Sequence, residues 1–381
     1  MAELPDASID AIVSDPPYEL GFMGKRWDAS GIAYDLEVWR QALRVLKPGG
    51  HLLAFSGSRT YHRMTCAIED AGFEIRDQIM WLYGSGFPKS LDVSKAIDKA
   101  AGAEREILSE RPAYGIGGNG CLGGHAEGAI AKVTIAATDD ARRWSGWGTA
   151  LKPAHEPICM ARKPLVGTVA SNVLTHGTGA VNVDACRVPF ELESVDFSRK
   201  QRQQRSDGVV QFASAGLIGQ EIDTYKENGR WPANVLHDGS EDVTDGLREA
   251  ARYFYTAKAD RADRDEVLGD LPTRTGAQAV EREEGSAGTQ SPRAGAGRTA
   301  SSVVNHHPTV KPTELMRYLV RMVTPPGGIV LDPFTGSGST GRAAMLEGMR
   351  FVGCELSDEY AELARARIRY TLGPMFAHLV E

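Results

Sequence analysis

An acid, two prolines and an aromatic residue follow one another near the start of the chain, at Asp15, Pro16, Pro17 and Tyr18. The prolines fix the backbone φ angle near about −65° and leave their carbonyl oxygens free to accept hydrogen bonds. If the Asp15 carboxylate and the Pro16 carbonyl each accept one N–H of an amino group on an aromatic ring, the nitrogen lone pair is directed towards an electrophile. The carboxylate then stabilises the positive charge that develops on nitrogen, and Tyr18 can stack on the ring. The alternative is a rigid turn in which the aspartate has no chemical role.

A glycine-rich stretch in the C-terminal part is the second candidate site. Gly336, Gly338 and Gly341 fit the pattern G-x-G-x-x-G between a predicted strand and a predicted helix, and Glu355 ends the next predicted strand. Glycines let the backbone approach a ligand closely, and Glu355 can accept hydrogen bonds from ribose hydroxyls. The pattern is typical of sites for NAD, FAD or S-adenosylmethionine and does not select among them. A simple tight turn between strand and helix is the alternative.

Both candidate sites follow apolar runs that read as strands. Strand and helix patterns alternate over residues 8–95 and again over residues 303–381, which predicts β-α-β units and an α/β fold. Ligands of open α/β sheets bind at the carboxyl ends of the strands. We therefore expect one doubly wound, mostly parallel sheet that is assembled from both chain ends, with a long inserted region between them.

The composition narrows the class of protein. Of 381 residues, 42% are hydrophobic and 24% are charged, as in an ordinary globular protein, and the net charge of −7 means that any surface for nucleic acid must be local. The five cysteines include no C-x-x-C pair, so we expect no zinc site and no disulfide framework. No signal peptide or apolar membrane span is visible, which favours the cytoplasm.

Together, the two motifs resemble those of DNA methyltransferases that methylate an exocyclic amino group with S-adenosylmethionine as the methyl donor. "DPPY" comes first, a variable region follows, and "HPTVKP" and "DPFTGSGST" come last, an order similar to that of the circularly permuted group called the β class. The resemblance implies a Rossmann-like methyltransferase fold and direct methyl transfer without a metal. It also implies a set of sites: a catalytic turn at Asp15, Pro16, Pro17 and Tyr18, and cofactor contacts from Lys311, Thr313, Asp332, Phe334, Gly336, Gly338 and Glu355.

The resemblance also divides the chain. We predict the catalytic half at residues 1–94, an insertion at 95–148, one more strand of the methyltransferase domain at 149–165, a target-recognition region at 166–302 and the cofactor-binding half at 303–381. Within the recognition region, we expect segment 281–302 to be mobile. Enzymes of this group usually carry another short strand before the catalytic turn. Only 14 residues precede Asp15 here, so we expect the cofactor pocket to be open on one side.

The acid in "DPPY" favours adenine as the target base, because cytosine enzymes of this class more often resemble "SPPY". A base in double-stranded DNA must be flipped out to reach such a turn, and Phe22 and Trp27 are candidates to line its pocket. N4-cytosine methylation and a truncated, weakly active DNA-binding remnant are the alternatives. A NAD-dependent oxidoreductase would leave the Asp15 turn unexplained.

Basic residues in the middle of the chain are candidates for contacts to DNA phosphates. The densest run contains Arg199, Lys200, Arg202 and Arg205, and a second group combines Arg142 and Arg143 with Trp144 and Trp147. A solvated surface is the alternative for both groups. Beyond double-stranded DNA, we consider a homodimer and a restriction endonuclease as partners.

Overall fold

The computed structural model describes residues 1–21, 26–86, 90–116, 122–189, 225–226, 229–257, 263, 274–275, 302–303, 305, 307, 309–373, 376–377 and 380. Within those residues, the main feature is an eight-stranded sheet. The strands in chain order are β1 (Ile9–Ser14), β2 (Leu46–Phe55), β3 (Glu74–Leu82), β4 (Ile107–Ile116), β5 (Leu122–Thr134), β6 (His155–Arg162), β7 (Tyr225–Lys226), β8 (Gly229–Arg230), β9 (Val235–His237), β10 (Tyr255–Thr256), β11 (Arg274–Thr275), β12 (Ser302–Val303), β13 (Ile329–Asp332) and β14 (Arg350–Gly353). The α-helices are α1 (Leu36–Val45), α2 (Tyr61–Asp70), α3 (Val93–Ala100), α4 (Asp139–Arg143), α5 (Val169–His176), α6 (Glu241–Leu247), α7 (Thr313–Val323), α8 (Ser339–Leu346) and α9 (Asp358–Leu372).

The sheet has the strand order β10-β9-β3-β6-β2-β1-β13-β14. β6 runs antiparallel to both of its neighbours, β2 and β3, whereas the other neighbouring strands pair in parallel. Because β1 lies between β2 and β13, strands from both ends of the chain meet at the centre of the sheet. The predicted α/β class and the mostly parallel sheet are confirmed.

Helices cover both faces of the sheet. Ala11 and Val13 of β1 belong to one buried cluster with Leu315 of α7, whereas Ile12 belongs to a second buried cluster with Trp39 of α1. Successive side chains of a strand point to opposite faces, so the two clusters are the two sides of a doubly wound sheet. All six residues of β1 are buried, as expected for a central parallel strand.

Asp10 joins the two chain ends inside the sheet. Its carboxylate is 3% exposed and accepts a hydrogen bond from Lys47 Nζ at 2.6 Å and another from the backbone N–H of Ile329 at 2.7 Å. Lys47 is the second residue of β2, and Ile329 is the first residue of β13. A buried carboxylate that accepts from an ammonium group and a backbone N–H has its hydrogen-bonding capacity well satisfied. The two bonds of Asp10 thereby hold the N-terminal and C-terminal strands in register.

The middle of the chain contributes more to the sheet than the predicted division assumed. β9 and β10, from the predicted recognition region, extend the sheet beyond β3. In the same region, α5 packs beside β2, and Asn172 of α5 donates a hydrogen bond to the Pro48 carbonyl at 2.9 Å. β9 and β10 have three and two residues, too few to give a periodic hydrophobic pattern. The domain boundaries remain predictions, and residues 281–301 lie outside the described part of the chain.

The insertion carries its own small elements. β4 and β5 form an antiparallel hairpin, and α3 packs against α4. Asp98 of α3 ties these pieces together, because it accepts hydrogen bonds from Arg105 and from the backbone and hydroxyl of Thr138. Among the described residues, no helix is both long and apolar enough to cross a lipid bilayer.

Candidate active site

A large cavity opens at the carboxyl edge of the parallel strands. Its volume is about 1390 Å³, and its walls include the residues after β1, β2, β3, β13 and β14. β6 also reaches it, because an antiparallel strand brings its first residues to the edge where its neighbours end. Pockets for a single small ligand span about 300–1,000 Å³. The cavity is therefore large enough for two ligands side by side.

The turn after β1 lines this cavity, and Lys311 lies against it. Lys311 Nζ is 2.7 Å from Asp15 Oδ2, 3.2 Å from the Tyr18 hydroxyl and 3.3 Å from Glu156 Oε2. The Tyr18 hydroxyl in turn donates a hydrogen bond to Glu156 Oε2 at 2.8 Å. The four groups form one hydrogen-bonded cluster in which Asp15 uses a single carboxylate oxygen.

The other carboxylate oxygen of Asp15, Oδ1, is buried and has no hydrogen-bond partner in the described structure. Pro16 and Pro17 follow it and also line the cavity. A buried acceptor without a donor is unfavourable unless a ligand supplies one. Asp15 therefore has one oxygen bound to Lys311 and one oxygen without a donor in the described structure. The second oxygen suits a ligand that brings an N–H or O–H group.

Burial and neighbouring charges control the protonation of the cluster. Burial raises the pKa of Asp15, and the Lys311 ammonium opposes this effect. For Lys311, burial acts to lower the pKa, but the Asp15 and Glu156 carboxylates outweigh it, so the pKa is raised. Burial and the same two carboxylates raise the pKa of Tyr18 well above its usual value. Tyr18 therefore keeps its proton and acts as a donor to Glu156.

Asp332, at the end of β13, forms a second buried carboxyl group beside the turn. It accepts hydrogen bonds from the hydroxyls of Ser14 and Thr340 and from the backbone N–H of Phe334. Burial raises the pKa of Asp332 to about 6, although these hydrogen bonds act to lower it. The carboxyl group thus links the end of β1 to the loop after β13 and to α8.

The glycine-rich loop forms the opposite wall of the cavity. Gly336 has a φ angle of +51°, and its N–H donates to Glu355 Oε2 at 2.8 Å. The backbone N–H of Ser357 donates to the other oxygen, Oε1, at 3.0 Å. Both oxygens of Glu355 are thereby oriented by the backbone, and each keeps a lone pair for a further donor. Phe334 and Glu355 both line the cavity.

His307 lies against this loop. A Cβ atom added to Gly336 would lie 2.8 Å from His307 Nε2, so only glycine fits there without a shift of the ring. The His307 ring also packs edge-on against Tyr360, with centroids 4.7 Å apart. The backbone of Gly336 therefore lies directly beside the His307 ring, and both residues line the cavity.

Two of the residues predicted to hold the cofactor do not line the cavity. Gly338, with φ of +79°, precedes α8 and faces α9, where an added Cβ would lie 2.9 Å from Ala364 Cα. Thr313 begins α7, and its N–H donates to Asp263 Oδ1 at 2.9 Å. The N-terminus of α7, where Thr313 is predicted to contact the cofactor, thus donates a hydrogen bond to Asp263.

The DNA-facing candidates are only partly within the described residues. Trp27 lines the cavity, and its indole N–H is buried without a hydrogen-bond partner in the described structure. Trp144 and Trp147 pack edge to face with centroids 5.0 Å apart, and both are exposed. Phe22 and the basic run with Arg199, Lys200, Arg202 and Arg205 lie outside the described residues.

Sequence reasoning missed two side chains that shape the site. Glu156 was included in a predicted strand but carried no motif; its place at the cavity follows only from the antiparallel direction of β6. Arg367 is fully buried in α9 and donates to the Ser337 carbonyl at 2.6 Å. In the sequence "ARARIRY", Arg367 resembles an exposed residue of an amphipathic helix, and no pattern distinguishes it.

Comparisons with known proteins relate the chain to a family and to individual relatives. A family model described as DNA methylase, of the N6/N4 methyltransferase type, matches residues 9–366. A stretch of 63 residues is 46% identical to the putative methylase YubD of Escherichia coli (strain K12), covering 16% of this chain and 28% of that protein. Another match of 63 residues is 41% identical to the DNA adenine methyltransferase YhdJ of the same organism, covering 16% of this chain and 21% of that protein.

A third relative is the type II methyltransferase M2.DpnII of Streptococcus pneumoniae, 44% identical over 62 residues, or 16% of this chain and 23% of that protein. These matches span less than a third of the length of each curated relative. Among solved structures, the PvuII DNA methyltransferase (cytosine-N4-specific) has a TM-score of 0.42 with 13% identity, covering 96% of this chain and 81% of that chain. TTHA0409 of Thermus thermophilus, complexed with S-adenosyl-L-methionine, has a TM-score of 0.40 with 18% identity, covering 98% of this chain and 90% of that chain.

Proposed function

This chain belongs to the family of N6/N4 DNA methylases, and from this premise we propose that it transfers a methyl group from S-adenosylmethionine to the exocyclic N6 of adenine in DNA. The observation that carries the proposal is the state of Asp15. One of its carboxylate oxygens is held by Lys311, and the other is buried without a hydrogen-bond donor among the described residues. Such an oxygen suits an N–H of an amino group.

In the proposed reaction, the protein aligns the amino nitrogen and stabilises its charge. Asp15 Oδ1 and the Pro16 carbonyl accept the two N–H groups, which directs the nitrogen lone pair away from the ring. When bound, S-adenosylmethionine would supply an electrophilic methyl group on sulfur, which the amino nitrogen aligned by Asp15 and Pro16 would accept as the sulfur leaves as a neutral thioether. Asp15 stabilises the positive charge on the nitrogen, and the surplus proton leaves through its carboxylate to water.

The loops after β13 and β14 fit the cofactor. Glu355, oriented by two backbone N–H groups, would accept from ribose hydroxyls, and Gly336 leaves space where a Cβ would meet His307. Phe334 and Asp332 line the same wall. We assign Lys311 to Asp15 instead of to the cofactor carboxylate, because its three N–H donors point to Asp15, Tyr18 and Glu156.

The size of the cavity supports a second ligand, namely the target base. A volume of about 1390 Å³ exceeds that of a usual small-molecule pocket, and a base in duplex DNA reaches such a site only when it is flipped out. Tyr18 and Trp27 line the cavity and offer aromatic faces for stacking. Cytosine N4 is chemically similar to adenine N6 and is the second candidate; the aspartate of the turn favours adenine. A homodimer and a restriction endonuclease partner remain predictions.

We place DNA against the segment before β6, which forms one rim of the cavity. Thr149, Leu151 and Lys152 line the cavity mouth, and Leu151 is 92% exposed. The segment is anchored at both ends: the N–H of Thr149 donates to Ser90 Oγ at 2.9 Å, and the Ala154 carbonyl accepts from the Tyr83 N–H at 3.0 Å. An apolar side chain on an anchored rim is suited to fill the space that a flipped base leaves in the stack.

The proposal is tested by incubating the protein with duplex DNA and labelled S-adenosylmethionine, followed by digestion to nucleosides. We expect the label on N6-methyladenosine; label on N4-methylcytosine would instead favour the second candidate. Asp15→Ala should lower turnover by about 100- to 1000-fold, while calorimetry shows unchanged cofactor binding. The exposed Asp70→Ala on α2 is the matched control. A wild-type protein that binds no S-adenosylmethionine and labels no DNA would contradict the proposal.

A further inference from the structure

Glu156 is the member of the hydrogen-bonded cluster to which neither the motifs nor the family match assigns a role. It is the second residue of β6, and its side chain is 20% exposed. Its oxygen Oε2 accepts a hydrogen bond from the Tyr18 hydroxyl at 2.8 Å and lies 3.3 Å from Lys311 Nζ. One carboxylate oxygen therefore contacts both the turn after β1 and the segment before α7.

The contacts of Lys311 depend on this carboxylate. An ammonium group has three donors, and here they are directed to Asp15, Tyr18 and Glu156. Because the lysine is held from three sides, it contacts a single oxygen of Asp15. Without Glu156, Lys311 would be free to turn towards both oxygens of Asp15 and occupy the acceptor that the amino group needs.

The net charge of the cluster also supports a role for Glu156 in methyl transfer. In their ionised forms, Asp15 and Glu156 carry two negative charges and Lys311 carries one positive charge, so the cluster has a net charge of −1. Methyl transfer from a sulfonium to an amino nitrogen keeps a positive charge within the site throughout. A prearranged negative cluster that is only partly accessible to water stabilises that charge more strongly than bulk water does.

We propose that Glu156 is a positioning residue for methyl transfer, which acts through Lys311 and Tyr18 to keep one oxygen of Asp15 free and the cluster negative. This inference rests on the proposed function. It adds a residue outside the catalytic turn whose charge sets the protonation and the geometry of Asp15.

The role predicts a shift of the pH profile with a defined sign. Among the described residues, the titratable groups that face Asp15 are Lys311, Glu156, Tyr18 and Asp332. The Glu156 carboxylate acts to raise the pKa of Asp15, and the Lys311 ammonium acts to lower it. The acid limb of kcat/KM, where Asp15 becomes protonated, should therefore move to lower pH in Glu156→Gln and to higher pH in Lys311→Met.

Turnover and cofactor affinity separate this role from a merely structural one. In Glu156→Gln, an amide oxygen can still accept from Tyr18 and Lys311, but the negative charge is lost and Lys311 is drawn more strongly to the Asp15 carboxylate. We therefore expect kcat to fall by about tenfold or more, while S-adenosylmethionine affinity by calorimetry stays unchanged. Glu156→Asp keeps the charge on a shorter side chain. It should retain the acid limb of the wild type and lose turnover, which distinguishes positioning from charge.

Glu74→Gln is the matched control, because Glu74 pairs with Arg162 at the other end of β6 with a distance of 2.6 Å. It should leave both kcat and the acid limb unchanged. A wild-type protein without methyl transfer overturns the proposed function, and this inference with it. An active wild type with a Glu156→Gln variant of unaltered acid limb, whatever its turnover, overturns this inference alone.

Discussion

At the scale of single residues, the site depends on carboxyl groups that burial makes harder to ionise. Asp332 is 2% exposed, and burial raises its pKa to about 6 although three hydrogen bonds favour the charged form. Asp15 follows the same rule, with Lys311 as its counterion. Perturbed pKa values of this kind are concentrated at functional sites, and here two such residues lie at the ends of adjacent strands, β1 and β13.

The raised pKa of Asp332 predicts how the free energy of unfolding changes with pH. A carboxyl group whose pKa is higher in the folded than in the unfolded state stabilises the fold below pH 4, and this contribution is lost as the pH rises through 6. Asp332→Asn removes that titration. Relative to the wild type, the variant should gain about 1 kcal/mol of unfolding free energy between pH 5 and pH 7.5, measured by urea unfolding. Asp70→Asn, at an exposed residue of α2, is the control variant. A difference that is flat with pH in Asp332→Asn would be inconsistent with this account.

At the scale of elements, the loop after β13 is held by contacts with the helix that follows it in the chain, α8, and with α9. Arg367 of α9 donates to the carbonyl and hydroxyl of Ser337 at 2.6 and 2.9 Å. Gly338 lets α8 begin directly against α9, since an added Cβ would lie 2.9 Å from Ala364 Cα. Gly338 thus allows α8 to pack closely against α9, whereas Gly336 allows the loop to lie close to His307 at the cavity.

This difference between the two glycines can be measured. Gly338→Ala should suffer both the strain of φ +79° and a backbone clash with α9. Gly348 also has a positive φ, +70°, but an added Cβ there meets nothing within 4 Å. Gly348→Ala should therefore cost about 1–2 kcal/mol of unfolding free energy for the backbone strain alone. In urea unfolding, we expect Gly338→Ala to lose clearly more unfolding free energy than Gly348→Ala. Equal losses would mean that α9 shifts to accommodate the added Cβ without a further loss of stability.

The elements also show where sequence reasoning succeeds and where it stops. The predicted alternation gives the helices and strands at both chain ends because their apolar spacing is long and regular, as in α7 with its eight buried residues of eleven. Glu156 was missed because its position depends on the direction of β6, which pairing and not spacing determines. Thr313 is predicted to contact the cofactor only through the family resemblance, which does not indicate that its N–H donates to Asp263, a residue distant in sequence. Local patterns define elements, whereas contacts between distant elements define the site.

At the scale of the whole molecule, charge and shape restrict how DNA can approach. The net charge is −7, so the phosphate backbone is attracted only to local basic surfaces. The carboxyl edge of the sheet is where the cavity opens, with Arg142, Trp144 and Trp147 in the chain just before its rim. The amino edge, near Pro48 and α5, is on the far side of the sheet. If the chain acts on duplex DNA as proposed, we expect the duplex to contact the rim that carries Leu151.

Leu151→Ala tests this orientation, because a rim side chain that fills the gap left by a flipped base matters only when the base starts in a stacked pair. We expect kcat/KM on duplex DNA to fall by about tenfold, and to recover on the same duplex with a mismatched target base, for which unpairing costs a few kcal/mol less. Leu174→Ala is the matched control: Leu174 is 88% exposed on α5, near the amino edge, and its variant should act like the wild type on both substrates. An equal loss on paired and mismatched targets would assign Leu151 to general DNA affinity, and no loss on either would place the duplex on another face.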